Sequence, residues 1–188
     1  KKIKSFTLMV SRDALNIEGL SEATLEKFIA RGFIHEPADI FRLECHREEM
    51  VNLEGFGEKS YENLMANVEK ARNTTLARVI YSLGIPNIGL AGAKLICREF
   101  DNRTEAMLNA EPEELAAIDR IGDVIAESFV GYFRDEGKKE RFLNLLSELT
   151  IAQEERADEE QQTLKGKVFV ITGSLNHFSN RKELKELI

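Results

Sequence analysis

The chain has 188 residues, of which 43% are hydrophobic and 31% charged, and its formal net charge is −7. This composition is that of a globular protein, and the negative charge argues against nucleic-acid binding through bulk positive charge. We expect a cytoplasmic location and no membrane partner, since no apolar run reaches the ~18 residues of a membrane span and the start carries no signal peptide. The cysteines, Cys45 and Cys97, lie far apart and predict no metal site.

Four segments of the chain share one pattern: an apolar residue, two further residues, a second apolar residue, a small residue and then a helical stretch. They are NIEGLSEATLEKF (residues 16–28), NLEGFGEKSYENL (52–64), GIPNIGLAGAKLI (84–96) and AIDRIGDVIAESF (117–129). Their central apolar residues are Leu20, Phe56, Ile88 and Ile121, roughly 32 to 36 residues apart. Such a regular spacing indicates an internal repeat.

Helical periodicity surrounds these turns. The helices predicted after the second, third and fourth turns each place apolar residues on one face. These residues are Tyr61, Leu64, Met65 and Val68, then Ala93, Ile96 and Phe100, then Ile125, Phe129 and Phe133. The sequence therefore predicts a mostly α fold for residues 1–150, with four tandem helix-hairpin-helix motifs.

A turn of this kind has a chemical use. We predict that the glycine just before each second helix permits a positive φ or a close approach of another molecule, which a side chain would block. The unpaired backbone amides at the start of a helix, together with the helix dipole, can hold a phosphate oxygen without a large positive charge. The alternative is an ordinary helix–helix connection whose central apolar residue fills the core. Four copies in register favour phosphate binding.

The candidate DNA-binding residues lie in and just after the four turns. They are Gly19, Leu20 and Ser21; Gly55, Phe56, Gly57, Lys59 and Ser60; Asn87, Ile88, Gly89 and Lys94; and Arg120 and Gly122. Lys59 and Lys94 are predicted to lie in the first turn of their helices, where their charges would add to the amide site.

The copies are not equivalent. The second has glycine on both sides of its central residue and is the best candidate contact, followed by the first and the third. Asn87 of the third copy tolerates the left-handed region. In the fourth copy the Asp123 carboxylate would oppose a phosphate, so this copy is a candidate for a structural role, although Arg120 could still reach DNA with its side chain.

The C-terminal part has a different character. Residues 154–160, EERADEE, carry five acids and one base, so residues 151–163 are predicted to be an acidic linker. The segment LKGKVFVITGSL, Leu164–Leu175, has the apolar run of a buried strand and a Thr172–Gly173 turn. An amphipathic helix, NRKELKELI, is predicted to follow. Residues 164–188 thus form the start of an α/β segment.

Together with VSRDALNIEGL and TTLARVIYSLGIPNIG, the four motifs resemble the C-terminal half of the bacterial NAD-dependent DNA ligases. The resemblance covers residues 5–188, and Thr74–Ile85 is its most specific part. Residues 164–188 resemble the opening of a BRCT domain. In some BRCT domains the Thr-Gly turn contacts phosphate, which here would be Thr172 and Gly173. The alternative for these two residues is an ordinary turn at the end of a strand. In that family a four-cysteine zinc finger lies just before this segment, so the chain is expected to begin after it.

The resemblance implies a function for the longer protein. The family seals nicks in duplex DNA during replication and repair, with an adenylated lysine in an N-terminal domain that has a KxDG motif. This chain has neither that motif nor a nucleotide-binding fingerprint, so we expect it to carry no catalytic residues, to bind no cofactor and to be inactive alone. NAD, Mg and Zn would be bound by the missing domains. The expected partner is nicked double-stranded DNA, bound by a monomer through backbone contacts in the minor groove that carry no sequence information.

Two alternatives remain open on the sequence. One is a helix-hairpin-helix module of another DNA repair protein, such as a nuclease or a recombination factor, for which upstream nuclease carboxylates would be the sign. The other is a protein-interaction scaffold in which the turns are only structural. Salt-dependent binding of a duplex would argue against the scaffold.

Overall fold

The computed structural model describes residues 2–152, which belong to one unit, residues 1–153. Its helices are α1 (Lys2–Val10), α2 (Glu22–Ala30), a 3₁₀ helix (Pro37–His46), α3 (Arg47–Val51), α4 (Glu58–Ala71), α5 (Leu76–Ser82), α6 (Leu90–Glu99), α7 (Thr104–Leu108), α8 (Pro112–Ala116), α9 (Asp123–Arg134) and α10 (Glu136–Ser147). The short strands β1 (Asn73–Thr74) and β2 (Thr150–Ile151) pair in parallel. The predicted mostly α fold is confirmed. The predicted BRCT-like segment, with Thr172 and Gly173, lies outside the described residues.

The long helices form because apolar side chains recur at helical spacing. In α9 the buried residues are Ala126, Phe129, Val130 and Phe133, which lie on one face. Equivalent faces of α4 and α6 are buried in the same core. Within this core Phe28, Phe129 and Phe142 are among the largest fully buried side chains. The first residues of α2, α4 and α9 are exposed, so these helix starts lie at the surface, where a ligand can reach them.

The paired strands connect the middle of the described chain to its end. The Thr150 amide donates to Arg72 O and the Ala152 amide to Thr74 O, both at 2.8 Å. Each strand has two residues, which is too short for an alternating pattern in the sequence. The end of the helical region is therefore fixed beside the passage from α4 to α5.

A cluster of three charged side chains, here called the clasp, lies beside these strands and consists of Arg42, Arg72 and Glu148. Arg72 Nη1 donates to the Glu148 backbone oxygen at 2.9 Å and to Oε2 at 3.2 Å, and its Nη2 donates to Phe41 O at 2.7 Å. Arg42 Nε donates to Glu148 Oε1 at 2.7 Å. The clasp therefore joins the C-terminal ends of α4 and α10 to the 3₁₀ helix.

The environment of Glu148 lowers the pKa of its carboxyl. Desolvation is the largest single effect and raises this pKa, but the hydrogen bonds and positive charges of Arg42 and Arg72 together outweigh it, so that the pKa lies below its ordinary value of 4.5. The folded pKa is thus lower than the unfolded one. The stabilisation is complete above the unfolded pKa and is lost as the pH falls through the folded pKa.

Acid should therefore remove the contribution of the clasp to stability. We expect the difference in Tm between the wild type and Glu148→Gln to be largest near neutral pH and to shrink as the pH falls below about 4.5. Thermal unfolding followed by circular dichroism at pH 7 and pH 3 measures both values. Equal differences at the two pH values would contradict an ionised, hydrogen-bonded Glu148.

Candidate nucleic-acid interface

Four hairpins lead into the helices that follow the repeated turns. Hairpin 1 is residues 16–21, hairpin 2 is 52–57, hairpin 3 is 84–89 and hairpin 4 is 117–122, and they precede α2, α4, α6 and α9. The N-caps are Ser21, Gly57, Gly89 and Gly122, and all four have extended backbones, with φ between −63° and −95°. The same backbone geometry therefore recurs at the start of each second helix.

Each hairpin has a left-handed residue two positions before the N-cap. It is Gly19 (φ 93°), Gly55 (φ 77°), Asn87 (φ 65°) and Arg120 (φ 67°). Of the two uses predicted for the glycine just before each second helix, the positive φ was therefore wrong, and the close approach of another molecule stays a prediction. The chain reverses one residue before the central apolar residue, and the N-cap must then be extended so that the helix can start.

The N-cap glycines face open space. A Cβ placed on Gly57, Gly89 or Gly122 would meet no atom within 4 Å. Glycine is thus not required there by the packing of the protein, and each position leaves the first helical amides open to another molecule. In hairpin 1 the same position carries Ser21, which is exposed.

The amides at the helix starts differ in how they are used within the protein. In α2 the Thr24 amide donates to Ser21 Oγ at 3.2 Å. In α9 the Ile125 amide donates to Gly122 O at 3.0 Å. Within the described part of the chain, the equivalent amides of Ser60 and Gly92 have no such acceptor. Hairpins 2 and 3 therefore present three unpaired amides each, whereas hairpins 1 and 4 present two.

The central apolar residues support the turns from inside. Leu20, Ile88 and Ile121 are buried. Phe56 is only half-buried and meets the ring of Phe28 edge-on, with 5.5 Å between the ring centroids. Since these side chains point into the protein, their role in any phosphate site is to fix the turn.

Hairpins 1 and 2 pack as a pair. Lys27 Nζ of α2 donates to Glu54 O of hairpin 2 at 3.3 Å, and Asn67 Nδ2 of α4 donates to Glu18 O of hairpin 1 at 3.0 Å. The second helix of each motif thus holds the hairpin of the other. The two accepting carbonyls are equivalent, because each lies two residues before the central apolar residue.

Hairpins 3 and 4 form a second pair. Asn87 Nδ2 of hairpin 3 donates to Ser128 Oγ of α9 at 3.3 Å. Around Gly92, Ile88 of hairpin 3 and Ile121 of hairpin 4 lie close together, since an added Cβ there would be 3.9 Å from one and 4.0 Å from the other. Ser128 has the place in its motif that Lys27 has in the first, seven residues after the central apolar residue. The four repeats are therefore two pairs.

Charges distinguish the hairpins further. Hairpin 3 and the first three residues of α6, residues 84–92, carry no charged side chain. In hairpin 2, Glu58 at the start of α4 is paired with Arg47, and the exposed Lys59 follows it. Hairpins 1 and 2 carry an exposed acid at equivalent positions, Glu18 and Glu54, and hairpin 1 is followed by a second exposed acid, Glu22, at the start of α2. In hairpin 4 Arg120 pairs with Asp119 at 3.5 Å. Hairpins 2 and 3 therefore have the most favourable surroundings for an anion.

The predicted side-chain contacts are only partly where we expected them. Lys59 and Ser60 are exposed in the first turn of α4. Lys94 is the fifth residue of α6, so the prediction that it lies in the first turn was wrong. The helix begins directly after Gly89, which places Lys94 one turn further from the amides. Asp123 is the first residue of α9 and is exposed, as its opposition to a phosphate requires.

A cavity of about 310 Å³ lies beside hairpin 1, between α4 and α5. Its wall includes Asn67 and Arg78, and both side chains donate to backbone oxygens in hairpin 1 or just before it. Arg78 Nη1 donates to Arg12 O at 3.1 Å and to Ala14 O at 3.0 Å. These hydrogen bonds fix hairpin 1 and the residues just before it. Arg78 lies in the segment Thr74–Ile85. This segment therefore supports the first hairpin pair, although it lies outside hairpins 1, 2 and 4.

Neither a metal cluster nor a membrane span is found among residues 2–152. No group of three or more His, Cys, Asp or Glu side chains in this range is placed to hold a metal ion. No helix in the same range is long and apolar enough to cross a membrane.

Comparison with known proteins gives the family context. A family model described as a helix-hairpin-helix motif matches residues 78–141, which hold hairpins 3 and 4. A DNA ligase of Lachnoclostridium phytofermentans is 56% identical over 188 residues, which is 100% of this chain and 29% of that protein. The chain is thus a relative of the DNA ligases. The resemblance to them inferred from the sequence is confirmed.

Further DNA ligases match over the same region. That of Ruminiclostridium cellulolyticum is 52% identical over 188 residues, which is 100% of this chain and 28% of the relative. That of Oceanobacillus iheyensis is 40% identical over 184 residues, or 95% of this chain and 27% of the relative. The chain spans between a quarter and a third of the length of these DNA ligases.

Proposed function

We propose that this chain binds the sugar–phosphate backbone of duplex DNA, without sequence preference, as part of a DNA ligase. The observation that carries the proposal is the repeated helix start, which in hairpins 2 and 3 has an extended glycine N-cap beside open space and unpaired amides in the first turn. An amide donor at the positive end of a helix dipole is a site for a phosphate oxygen. The names of the relatives support DNA as the source of that phosphate.

For the whole protein we propose NAD-dependent sealing of nicks in DNA, with replication and repair as its setting. The chemistry would belong to domains outside this chain, together with NAD, Mg and Zn. The partner would be a nicked duplex, bound by a monomeric enzyme. The part of this chain would be to hold the duplex while those domains act on the nick, because phosphate contacts position a protein and carry no sequence information.

Within the chain, we assign the strongest phosphate contacts to hairpins 2 and 3. Each presents one more unpaired amide than hairpins 1 and 4. Hairpin 3 has no charge to oppose a phosphate, and the acid at the helix start after hairpin 2, Glu58, is paired with Arg47. Hairpin 1 then makes a weaker contact and hairpin 4 the weakest, since Asp123 stands at its helix start.

The charge of Lys59 should be measurable in the salt dependence of binding. We expect Lys59→Ala to reduce the slope of log K against log salt by about 0.9, the value for one phosphate contact on duplex DNA. Lys70→Ala is the matched control, because Lys70 is an exposed lysine in the last turn of the same helix. Fluorescence anisotropy of a labelled duplex at four or five salt concentrations gives both slopes.

The control should leave the slope close to that of the wild type. If Lys59→Ala and Lys70→Ala lowered the slope equally, the charge of α4 would act from a distance and the start of the helix would have no special role. An unchanged slope for Lys59→Ala would remove Lys59 from the interface.

A further inference from the structure

The clasp lies between the elements that carry the two hairpin pairs. Arg72 follows α4, the second helix of hairpin 2. Glu148 follows α10, which packs against α9, the second helix of hairpin 4. The rings of Phe133 in α9 and Phe142 in α10 lie 5.1 Å apart, so that α10 is held firmly on the second pair. The clasp thus connects α4 of the first pair to α10, the helix packed on the second pair.

Without the clasp, the pairs would have fewer connections. The chain passes from the first pair to the second only once, through residues 72–75 between α4 and α5. The clasp and the β1–β2 pairing bring the end of the described chain back to this passage, where Thr150 N donates to Arg72 O. The packing of α5 on α1 also connects the pairs, and the clasp adds a hydrogen-bonded connection at the end of the described chain that restricts rotation of one pair against the other.

The hydrogen bonds of Arg72 suit a rigid connection of this kind. Its guanidinium donates from Nε to Glu69, from Nη1 to Glu148 and from Nη2 to Phe41 O, and it lies over the ring of Phe41 at 5.4 Å. The Arg72 and Glu148 side chains are only 23% and 21% exposed. A guanidinium is planar and its N–H donors have fixed directions, so it can hold three elements in one arrangement. A lysine ammonium cannot do this.

We propose that the clasp fixes the orientation of the two hairpin pairs, so that both can contact one duplex at the same time. This inference rests on the proposed function, because it concerns how the phosphate contacts are combined. When two binding elements are held in a suitable geometry, the second contact forms within the complex and needs no new encounter. Arg72, Arg42 and Glu148 are thus positioning residues, although they lie outside all four hairpins.

Two substitutions separate this role from bulk charge. Arg72→Lys keeps the positive charge but loses the planar set of guanidinium N–H donors. Glu148→Gln makes the chain less negative, which by itself would favour DNA binding. A loss of affinity in Glu148→Gln would therefore be opposite to the effect of charge alone. Glu140→Gln, at an exposed position of α10, is the matched control for the change in charge.

The orientation itself can be measured with spin labels at the exposed positions Glu26 in α2 and Glu127 in α9, after Cys45 and Cys97 are replaced by serine. We expect one narrow distance distribution in the 188-residue chain and in Glu140→Gln, and a broad one in Arg72→Lys and Glu148→Gln. We also expect the two clasp variants to bind a duplex about tenfold more weakly, with a smaller salt slope, because only one pair then engages at a time.

An unchanged narrow distribution in folded clasp variants would overturn the proposal, and so would a broad distribution with unchanged affinity and salt slope. If both variants fail to fold, Arg42→Gln is the deciding variant. Arg42 is more exposed than Arg72, and its loss removes one of the two arginine–Glu148 contacts of the clasp. A narrow distribution in that variant would also overturn the proposal. If the wild type bound no duplex, the proposed function would fail, while the distances would still show whether the clasp orients the pairs.

Discussion

Replacing Gly57 or Gly89 by valine should weaken the binding of duplex DNA by about tenfold in each case, and Gly122→Val should have a smaller effect. The three glycines are matched, since each is an N-cap with an extended backbone and open space around it. Valine can adopt this backbone conformation without strain. Its branched side chain would then stand where a phosphate must approach the amides.

The size of the effect follows from the hydrogen bonds that are lost. A hydrogen bond to a charged group contributes about 1.5–3 kcal/mol, and about 1.4 kcal/mol corresponds to a factor of ten in affinity. At Gly122 less is lost, because Asp123 already opposes a phosphate and the Ile125 amide is engaged within the protein. The cost of a valine N-cap to folding is the same at all three positions.

Dissociation constants measured by anisotropy, with the Tm of each variant, separate binding from stability. We expect similar Tm values for the three variants and different affinities. Three equal losses of affinity would contradict the assignment of hairpins 2 and 3 as the main contacts. Three unchanged affinities would mean that the glycines do not face DNA.

The second large effect concerns stability. Phe28→Ala should lower the free energy of unfolding by about 3–5 kcal/mol, as expected for a fully buried phenylalanine. Phe28 is 0% exposed and contacts the rings of Phe33 and Phe56, with centroids 5.7 and 5.5 Å away. It therefore holds hairpin 2 against α2 in the first hairpin pair.

Phe56→Ala is the natural comparison, because the two rings touch but Phe56 is only half-buried. We expect it to cost about 2 kcal/mol, less than a central core position would cost. Urea unfolding of both variants gives the two free energies. A larger cost for Phe56 than for Phe28 would contradict the packing of the first pair.

The repeat and the helices could be predicted from the sequence because both depend on local patterns. Apolar residues at helical spacing indicated α4, α6 and α9, and the glycines between them indicated the turns. In hairpins 1 and 2 the position of the left-handed residue was missed, since glycine adopts either conformation and its presence alone does not distinguish them. In hairpin 3 the sequence did indicate it, because asparagine is enriched in the left-handed region and Asn87 occupies the earlier position.

The pairing of the hairpins and the clasp could not be predicted. Lys27 meets the backbone of Glu54, and Asn67 meets that of Glu18, through contacts that depend on the arrangement of helices in space. Arg72 and Glu148 are 76 residues apart, and no local pattern connects them. The different use of amides at the four helix starts also depends on backbone geometry. These features decide which hairpins are available to a ligand.

The most direct measurement is a titration of the 188-residue chain with a nicked duplex of about 25 base pairs at several salt concentrations, beside an intact duplex and one of unrelated sequence. We predict weak binding that falls as salt rises and is equal for the two sequences, with little preference for the nick in the absence of the other ligase domains. Absence of binding at low salt, or binding that does not depend on salt, would contradict the claim that the hairpins bind the phosphate backbone.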